Sequence, residues 1–409
     1  MNRTKTYAAQ ANPPYMPLST PNVRQNNIPP RLMWNINDKI WTASSSGYCG
    51  ETSLQCAGLL YGQYVPQYDI RMLVADYYAQ LGNQFSDTYE SIYGSGSTVV
   101  TVPGAKGDTV QLTTDNIRKH GQYCCQFLLG APDEGTGMEH VLNKLFLEFD
   151  TYACNANTQN DFMPWLKQRM LAGQPVITGV QDRDGDDPEY DHIVIVTGWG
   201  SDQPLNDFKY YPEDEILFSD HGLIVNGGSI PYFFHFVMET GADGTRPDGG
   251  CPGRTVWNFI MDLGTARTIG INPCNSYQLA QMPSSEEKSA CNYGLAIRGV
   301  KGSNLLPVRI DPDFNYEFPC ITTQQAWVGA RPTTTQIMTH TITISGMTIG
   351  VTYNIWIYHE LTDVPQDHFN TAGKGHCREY TAESDQPYVF QLQKSADIAV
   401  IVRCLPKGT

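Results

Sequence analysis

The sequence predicts an α+β protein in which a domain of helices and antiparallel strands is followed by an all-β sandwich domain. Three observations support this prediction. The 37 glycines and 26 prolines, with only 17% charged residues, indicate a chain rich in loops and strands. Apolar residues with helical spacing occur early in the chain, and β-branched apolar runs follow them. From about residue 270 the apolar residues alternate with period two.

The N-terminal part divides into an arm and a first domain. Residues 1–30 are polar and rich in Pro and Asn, and we interpret them as a flexible arm. Within the first domain, residues 31–268, apolar spacing predicts helices over residues 70–83, 137–150 and 161–173.

The last of these helices has Pro164 in its first turn and Gly173 just past its end, the usual places for these residues. Strands are predicted over residues 174–181, 192–200 and 214–222, which are β-branched and apolar runs bounded by turn residues.

Residues 269–409 are interpreted as an accessory β-sandwich that resembles a fibronectin type III module. Gly346 and Gly350 are expected in turns between its strands. A disulfide between Cys377 and Cys404 is one way to tie this module together, although pairing cannot be read from sequence.

Composition excludes some classes of partner and favours others. A net charge of -15 argues against nucleic acid, because neutralising phosphates requires basic surface. The sequence has no apolar run of roughly 18 residues, so no membrane span is predicted. The chain has 11 cysteines without a C-x-x-C pair, which favours disulfides and a secreted or otherwise oxidising location over a zinc site.

The segment "SSSGYCGETSLQCAGLLYG", residues 44–62, raises the question of a reactive thiol. Cys49 is at the start of the predicted helix, and Cys56 lies two turns further along the same face. A helix N-terminus favours the thiolate, the form of cysteine that attacks carbonyls. The simpler alternative is that Cys49 forms a disulfide with Cys56 or with a distant cysteine.

His192 begins one predicted strand, and Asp220 ends the next. If the two strands pair as an antiparallel hairpin, both residues lie at the same edge of the sheet. A carboxylate that orients an imidazole is what a general base requires. The alternatives are a structural histidine, an aspartate that caps a turn, and His221 as a rival base.

These segments together resemble a known family. "GYCGETSLQCAGLL" is similar to the nucleophile helix of papain-like cysteine peptidases, and "DHIVIVTGWG…ILFSD" is similar to the later part of a peptidase C39-like domain. The resemblance implies a papain-like fold, with Cys49 as nucleophile, His192 as base and Asp220 as the orienting group. The family usually has a glutamine about six residues before the cysteine, but this chain has alanine at position 43. In its place, the candidate oxyanion donors are the Ser44 hydroxyl and the Cys49 backbone N–H acting with another donor, and the alternative is that Ser44 is an ordinary loop serine.

The acidic loop before His192 allows three interpretations. Asp182, Asp184 and Asp186 alternate as at the start of a calcium loop, but Ile193 occupies the position of the bidentate glutamate. The loop is therefore a solvated acidic segment, a calcium site, or a surface that attracts substrates with positive charge.

The first functional hypothesis is a cysteine peptidase that cleaves peptide or amide bonds through a thioester and requires no cofactor. Its substrate is a peptide or protein, with basic substrates favoured. The same triad also permits acyl transfer to an amine, as in a peptide-ligating enzyme. A hypothesis from another class is a catalytically degenerate binding protein on a peptidase scaffold.

Overall fold

A computed structural model shows a mixed α+β protein built from antiparallel sheets. It describes residues 22–26, 28–29, 31, 49–73, 100–103, 109–112, 130–131, 135–153, 162–182, 192–209, 211, 215–220, 224–225, 228–229, 232–240, 255–260, 266–270, 293–313, 336–365 and 374–409. Most of the predicted N-terminal arm lies outside these residues.

The helices are α1 (Cys49–Leu59), α2 (Gly137–Lys144) and α3 (Phe162–Leu171), with further helical residues at 67–73 and a 3-10 turn at Leu361–Asp363. None of the described helices has the length and apolar character needed to cross a lipid bilayer.

The strands of the first half are β1 (Asn22–Gln25), β2 (Gln63–Tyr64), β3 (Val100–Pro103), β4 (Thr109–Leu112), β5 (Gly130–Ala131), β6 (Gly135–Thr136), β7 (Leu147–Ala153), β8 (Val176–Asp182), β9 (His192–Ser201) and β10 (Glu215–Asp220). The later strands are β11 (Ile224–Val225), β12 (Gly228–Ser229), β13 (Tyr232–Thr240), β14 (Thr255–Ile260), β15 (Ala266–Gly270), β16 (Tyr293–Val300), β17 (Val308–Pro312), β18 (Ile337–Ile344), β19 (Thr352–Tyr358), β20 (His376–Thr381), β21 (Tyr388–Ser395) and β22 (Val400–Pro406).

The largest sheet has nine strands in the order β1-β9-β10-β13-β14-β15-β8-β16-β7, and β8 also pairs with β9. The pairings β9-β10-β13-β14-β15-β8-β9 therefore form a closed circuit. Helices α1 and α3 both pack against β9. Its residues 193–200 are all buried, so this strand lies at the centre of the first core.

The C-terminal part contains two sheets, β17-β18-β21 and β2-β22-β19-β20. Their buried residues share one core, and Leu59 and Tyr64 from the first half belong to it. The opposite face of the four-stranded sheet packs against Phe146, Val300 and Leu305. Three strands thus lie outside the parts predicted from sequence. Residues 22–25, predicted to belong to a flexible arm, form β1 and pair with β9, β2 completes a sheet of the sandwich, and β16 belongs to the nine-stranded sheet. The division at 268/269 remains a prediction.

One predicted helix was too long. Apolar spacing predicted a helix over residues 137–150, but α2 ends at Lys144 and β7 begins at Leu147. Phe146 between them has a φ of 57°, and its carbonyl accepts a hydrogen bond from the Lys301 backbone N–H. Residues 147–153 pair with β16, so strand pairing replaces the helix. Helix α3, by contrast, lies within the predicted range, followed by Gly173 with a φ of 78°.

The suggested bridge between Cys377 and Cys404 is wrong, because both cysteines are free thiols. Cys377 lies opposite Trp356 and Cys404 opposite Ile355 on the two sides of β19. Adjacent residues of a strand point to opposite faces, so the two sulfurs lie on opposite faces of the sheet. Cys404 belongs to the sandwich core, and Cys377 packs against the other core.

Candidate functional site

Helix α1 begins at Cys49, as the sequence predicts. Residues 50–59 are all buried, so the helix is enclosed on every side. Glu51 in the first turn complements the positive N-terminal end of the helix dipole. A helix N-terminus is in general a favourable place for an anion, because the first N–H groups of a helix have no intrahelical acceptor.

Glu51 is almost fully buried, and its charge is balanced by Arg71. Arg71 Nε lies 2.6 Å from Glu51 Oε1, and the two side chains are 4% and 1% exposed. An unpaired carboxylate at this depth would be costly, because burial disfavours the charged form. Arg71 belongs to the helical residues 67–73 that follow α1, so this segment is tied to the first turn of α1.

Further buried polar side chains fix the middle of α1. Thr52 Oγ1 donates to Gln67 Oε1 at 2.9 Å, and Gln55 Nε2 donates to the Val65 carbonyl at 2.7 Å. Arg31 Nε donates to Gln55 Oε1 at 3.0 Å. Each of these buried hydrogen bonds attaches α1 to a neighbouring segment and so restricts its position.

Cys56 is the other cysteine of this helix, and it is a free, fully buried thiol. Burial raises the pKa of Cys56 to about 12, and the nearby Arg31 charge opposes this only in part. Cys56 therefore stays protonated at neutral pH and is a poor nucleophile. A Cys49–Cys56 disulfide is ruled out as well, which removes one of the alternatives for Cys49.

His192 and Asp220 are brought to the same end of the sheet by strand pairing. His192 is the first residue of β9 and Asp220 the last residue of β10, and the two strands pair antiparallel with Ile195 opposite Ser219. The expected hairpin pairing is thus present. On its other edge, His192 lies opposite Val180 of β8.

The remaining predicted site residues are only partly described. Asp182 is the last residue of β8, where it lies opposite Ile269. Ser44, Asp184, Asp186 and His221 lie outside the described residues. Within the described part of the chain, no group of His, Cys, Asp or Glu side chains could hold a metal ion.

Sequence reasoning did not find several residues that shape this site. Arg71 and Arg31 were not singled out, and neither were His340 and Arg403 of the sandwich. Glu51 and Arg71 are 20 residues apart and Arg31 and Gln55 are 24 apart, so no local spacing rule detects these pairs. The acidic residue in a first turn is the only local signal.

Comparison with known proteins returns no relative: no family model matches the chain, and no curated protein sequence matches it.

Proposed function

We propose that the protein is a papain-like thiol enzyme of the peptidase C39-like type, with a fibronectin type III-like module, that attacks peptide or amide carbonyls through Cys49. His192 is the general base and later the general acid, and Asp220 orients its imidazole. One observation supports this most strongly. The helix that begins at Cys49 packs against the strand that begins at His192, whose neighbouring strand ends at Asp220.

The electrostatics of α1 favour a thiolate at its first residue. The helix N-terminus supplies about half a positive charge, worth roughly 0.3–1 kcal/mol at an exposed end and up to about 2 kcal/mol when partly buried. Glu51, two residues after Cys49, would raise the pKa of a neighbouring thiol if it were unpaired. Arg71 neutralises that carboxylate, so the Glu51 charge does not cancel the effect of the helix end.

The reaction proceeds in two half-reactions. The Cys49 thiol gives its proton to His192 and its sulfur attacks the carbonyl carbon, which forms a tetrahedral oxyanion. Collapse of this intermediate breaks the C–N bond, and His192 returns the proton to the leaving amine. Water, deprotonated by His192, then attacks the thioester, releases the acid and restores the thiol.

The oxyanion requires hydrogen-bond donors. We propose the Cys49 backbone N–H, at the start of α1, as one donor and the Ser44 hydroxyl as the second. The net charge of -15 favours peptide or protein substrates with positive charge. Bound calcium at Asp182, Asp184 and Asp186 remains the alternative to a solvated acidic loop.

The proposal includes a secreted or otherwise oxidising location, based on the 11 cysteines. Cys56, Cys377 and Cys404 are free, so the proposed disulfides involve other cysteines.

The test is alkylation of the native protein with iodoacetamide or the epoxide E-64 near neutral pH, followed by peptide mass spectrometry. We expect selective modification of Cys49, unchanged in Cys56→Ala and lost in His192→Ala. With a peptide library as substrate, Cys49→Ala should reduce activity by at least about 10³-fold. Product masses separate hydrolysis from transfer to an amine.

A disulfide at Cys49 would contradict the proposal, and so would Cys49 alkylation that is the same in His192→Ala as in wild type. A reactive Cys49 without turnover of any peptide in the library would favour the degenerate binding protein instead.

A further inference from the structure

The end of α1 opposite Cys49 is built into the C-terminal sandwich. After the helix, β2 pairs antiparallel with β22, so that Gln63 lies opposite Ile401 and Tyr64 opposite Val400. The Tyr64 hydroxyl donates to the Ala396 carbonyl at 2.7 Å. The two residues of β2 thus form the outer strand of the four-stranded sheet.

Arg403 of β22 holds the turn that joins α1 to β2. Its side chain is buried, and its Nη1 donates to the carbonyls of Tyr61, Gly62 and Val402 at 3.2, 3.4 and 3.0 Å. Its Nη2 donates to Gln63 Oε1 at 2.9 Å. A cation at this position also complements the negative C-terminal end of the α1 dipole.

The turn is closely packed against the sandwich at Gly62. Gly62 has a φ of 70°, and a Cβ built on it would lie 2.8 Å from both Val308 Cβ and the Val402 carbonyl oxygen. The Gly62 carbonyl accepts a hydrogen bond from the Val402 backbone N–H at 2.7 Å. Any side chain here would push the turn away from the sandwich.

Helix α1 directly joins this turn to Cys49. The helix has 11 residues, about 16 Å in length. The Glu51–Arg71 and Thr52–Gln67 contacts hold its N-terminal half, and Arg403 holds the turn at the other end of the helix. Its first residue is Cys49, where a shift of about 1 Å relative to the base is enough to reduce catalysis by roughly 10²-fold.

We propose that Arg403 is a positioning residue for Cys49, acting through the turn at residues 61–63 and helix α1. The sandwich is therefore part of the catalytic unit rather than a separable accessory domain. This inference rests on the proposed function of Cys49.

The experiment measures the rate of Cys49 alkylation by iodoacetamide as a function of pH in the full-length chain, for wild type, Arg403→Met and Arg403→Lys. Thermal unfolding of each variant sets a working temperature at which all are folded. The control is Ile342→Ala in β18, which removes buried volume from the sandwich core on the other face of β22 from Arg403. Ile342 lies opposite Ile310 and Phe390, on the sheet that does not contain Arg403.

We expect Arg403→Met to lower the alkylation rate near neutral pH by about 10-fold or more and to move the midpoint of its pH profile upward. Arg403→Lys should show a smaller change, because lysine lacks the fork that binds several carbonyls. Ile342→Ala should lower thermal stability and leave the pH profile unchanged.

An unchanged pH profile in folded Arg403→Met would overturn the inference. If Arg403→Met does not fold, an unchanged pH profile in folded Arg403→Lys would overturn the inference instead. A wild-type midpoint at the ordinary thiol value of about 8.5 would instead contradict the proposed function itself. A shift of equal size in Ile342→Ala would show a general loosening of the sandwich and would also overturn the role of Arg403.

Discussion

Helices α1 and α3 pack against the same strand, β9, yet their surroundings differ. Helix α1 is buried on all sides, whereas α3 has an exposed residue at Gln168 and a half-exposed one at Arg169. One residue of each helix forms an ion pair with a residue outside the helix. Glu51–Arg71 is 1% and 4% exposed, whereas Arg169–Asp150 is 31% and 27% exposed.

The difference shows that buried polar contacts fix the position of α1, whereas α3 covers the sheet with one side open to water. An ion pair that water reaches, as at Arg169–Asp150, is worth about 0–1 kcal/mol, because water solvates each charge when the other is removed. A buried pair adds little by itself, but loss of one partner leaves an uncompensated charge. Displacing α1 from its buried polar partners is therefore costly, as the proposed role of Cys49 requires.

Arg71→Met tests this comparison with the largest expected effect. We expect the free energy of unfolding to fall by about 3–5 kcal/mol, because Glu51 is left buried without its partner. The matched change on α3, Arg169→Met, should cost no more than about 1 kcal/mol. Urea unfolding measures both, and equal losses would show that the two helices do not differ in this respect.

His340 tests whether the burial of an ionisable side chain also affects stability in the sandwich. It is fully buried, its ring centroid is 4.7 Å from that of Tyr64, and neither ring nitrogen has a hydrogen-bond partner among the described residues. Burial, together with the Arg31 charge, lowers the pKa of His340 from 6.5 to about 4, with Asp313 opposing the shift.

Between these two pKa values the unfolded chain binds a proton that the folded chain does not. The His340 contribution to stability is therefore complete above about pH 6.5 and is lost as the pH falls towards 4. Its full size is roughly 3 kcal/mol. Between pH 6.5 and 4 we expect the free energy of unfolding, measured with urea, to fall less for His340→Phe than for wild type. Parallel pH curves for the two proteins would contradict the prediction.

Thr52→Val should have the smallest effect of the three. It removes the hydroxyl that donates to Gln67 Oε1 and leaves that oxygen without its donor in the interior. We expect a loss of about 1–3 kcal/mol in the free energy of unfolding. Gln168→Ala on the exposed face of α3 is the control and should stay within about 0.5 kcal/mol. A Thr52→Val protein as stable as this control would mean that the α1 network does not contribute to stability.

Several elements could be predicted from local sequence. The start of α1 at Cys49 and the pairing of β9 with β10 follow from apolar spacing and turn residues. Helix α3 follows from Pro164 and Gly173. The overlong helix over 137–150 shows where such patterns fail, because residues 147–153 have a partner strand about 150 residues later.

The site was predicted in the same uneven way. The positions of Cys49, His192 and Asp220 at the ends of their elements were read from sequence, and the structure places the latter two at one end of the sheet. The pairs that fix α1 could not be read, because their members are far apart in the chain and none has a distinctive local pattern. A two-residue strand such as β2 is too short for any periodicity to appear.

The sequence by itself determined where α1, α3, β9 and β10 form and where cysteine, histidine and aspartate lie at the ends of three of them, because spacing and turn residues act over a few neighbours. Only the tertiary structure decided which charged residues are buried and what they bind. Arg403 meets the turn after α1 across some 340 residues of chain, because β22 pairs with β2. Such a contact depends on the packing of whole sheets, which local spacing does not encode.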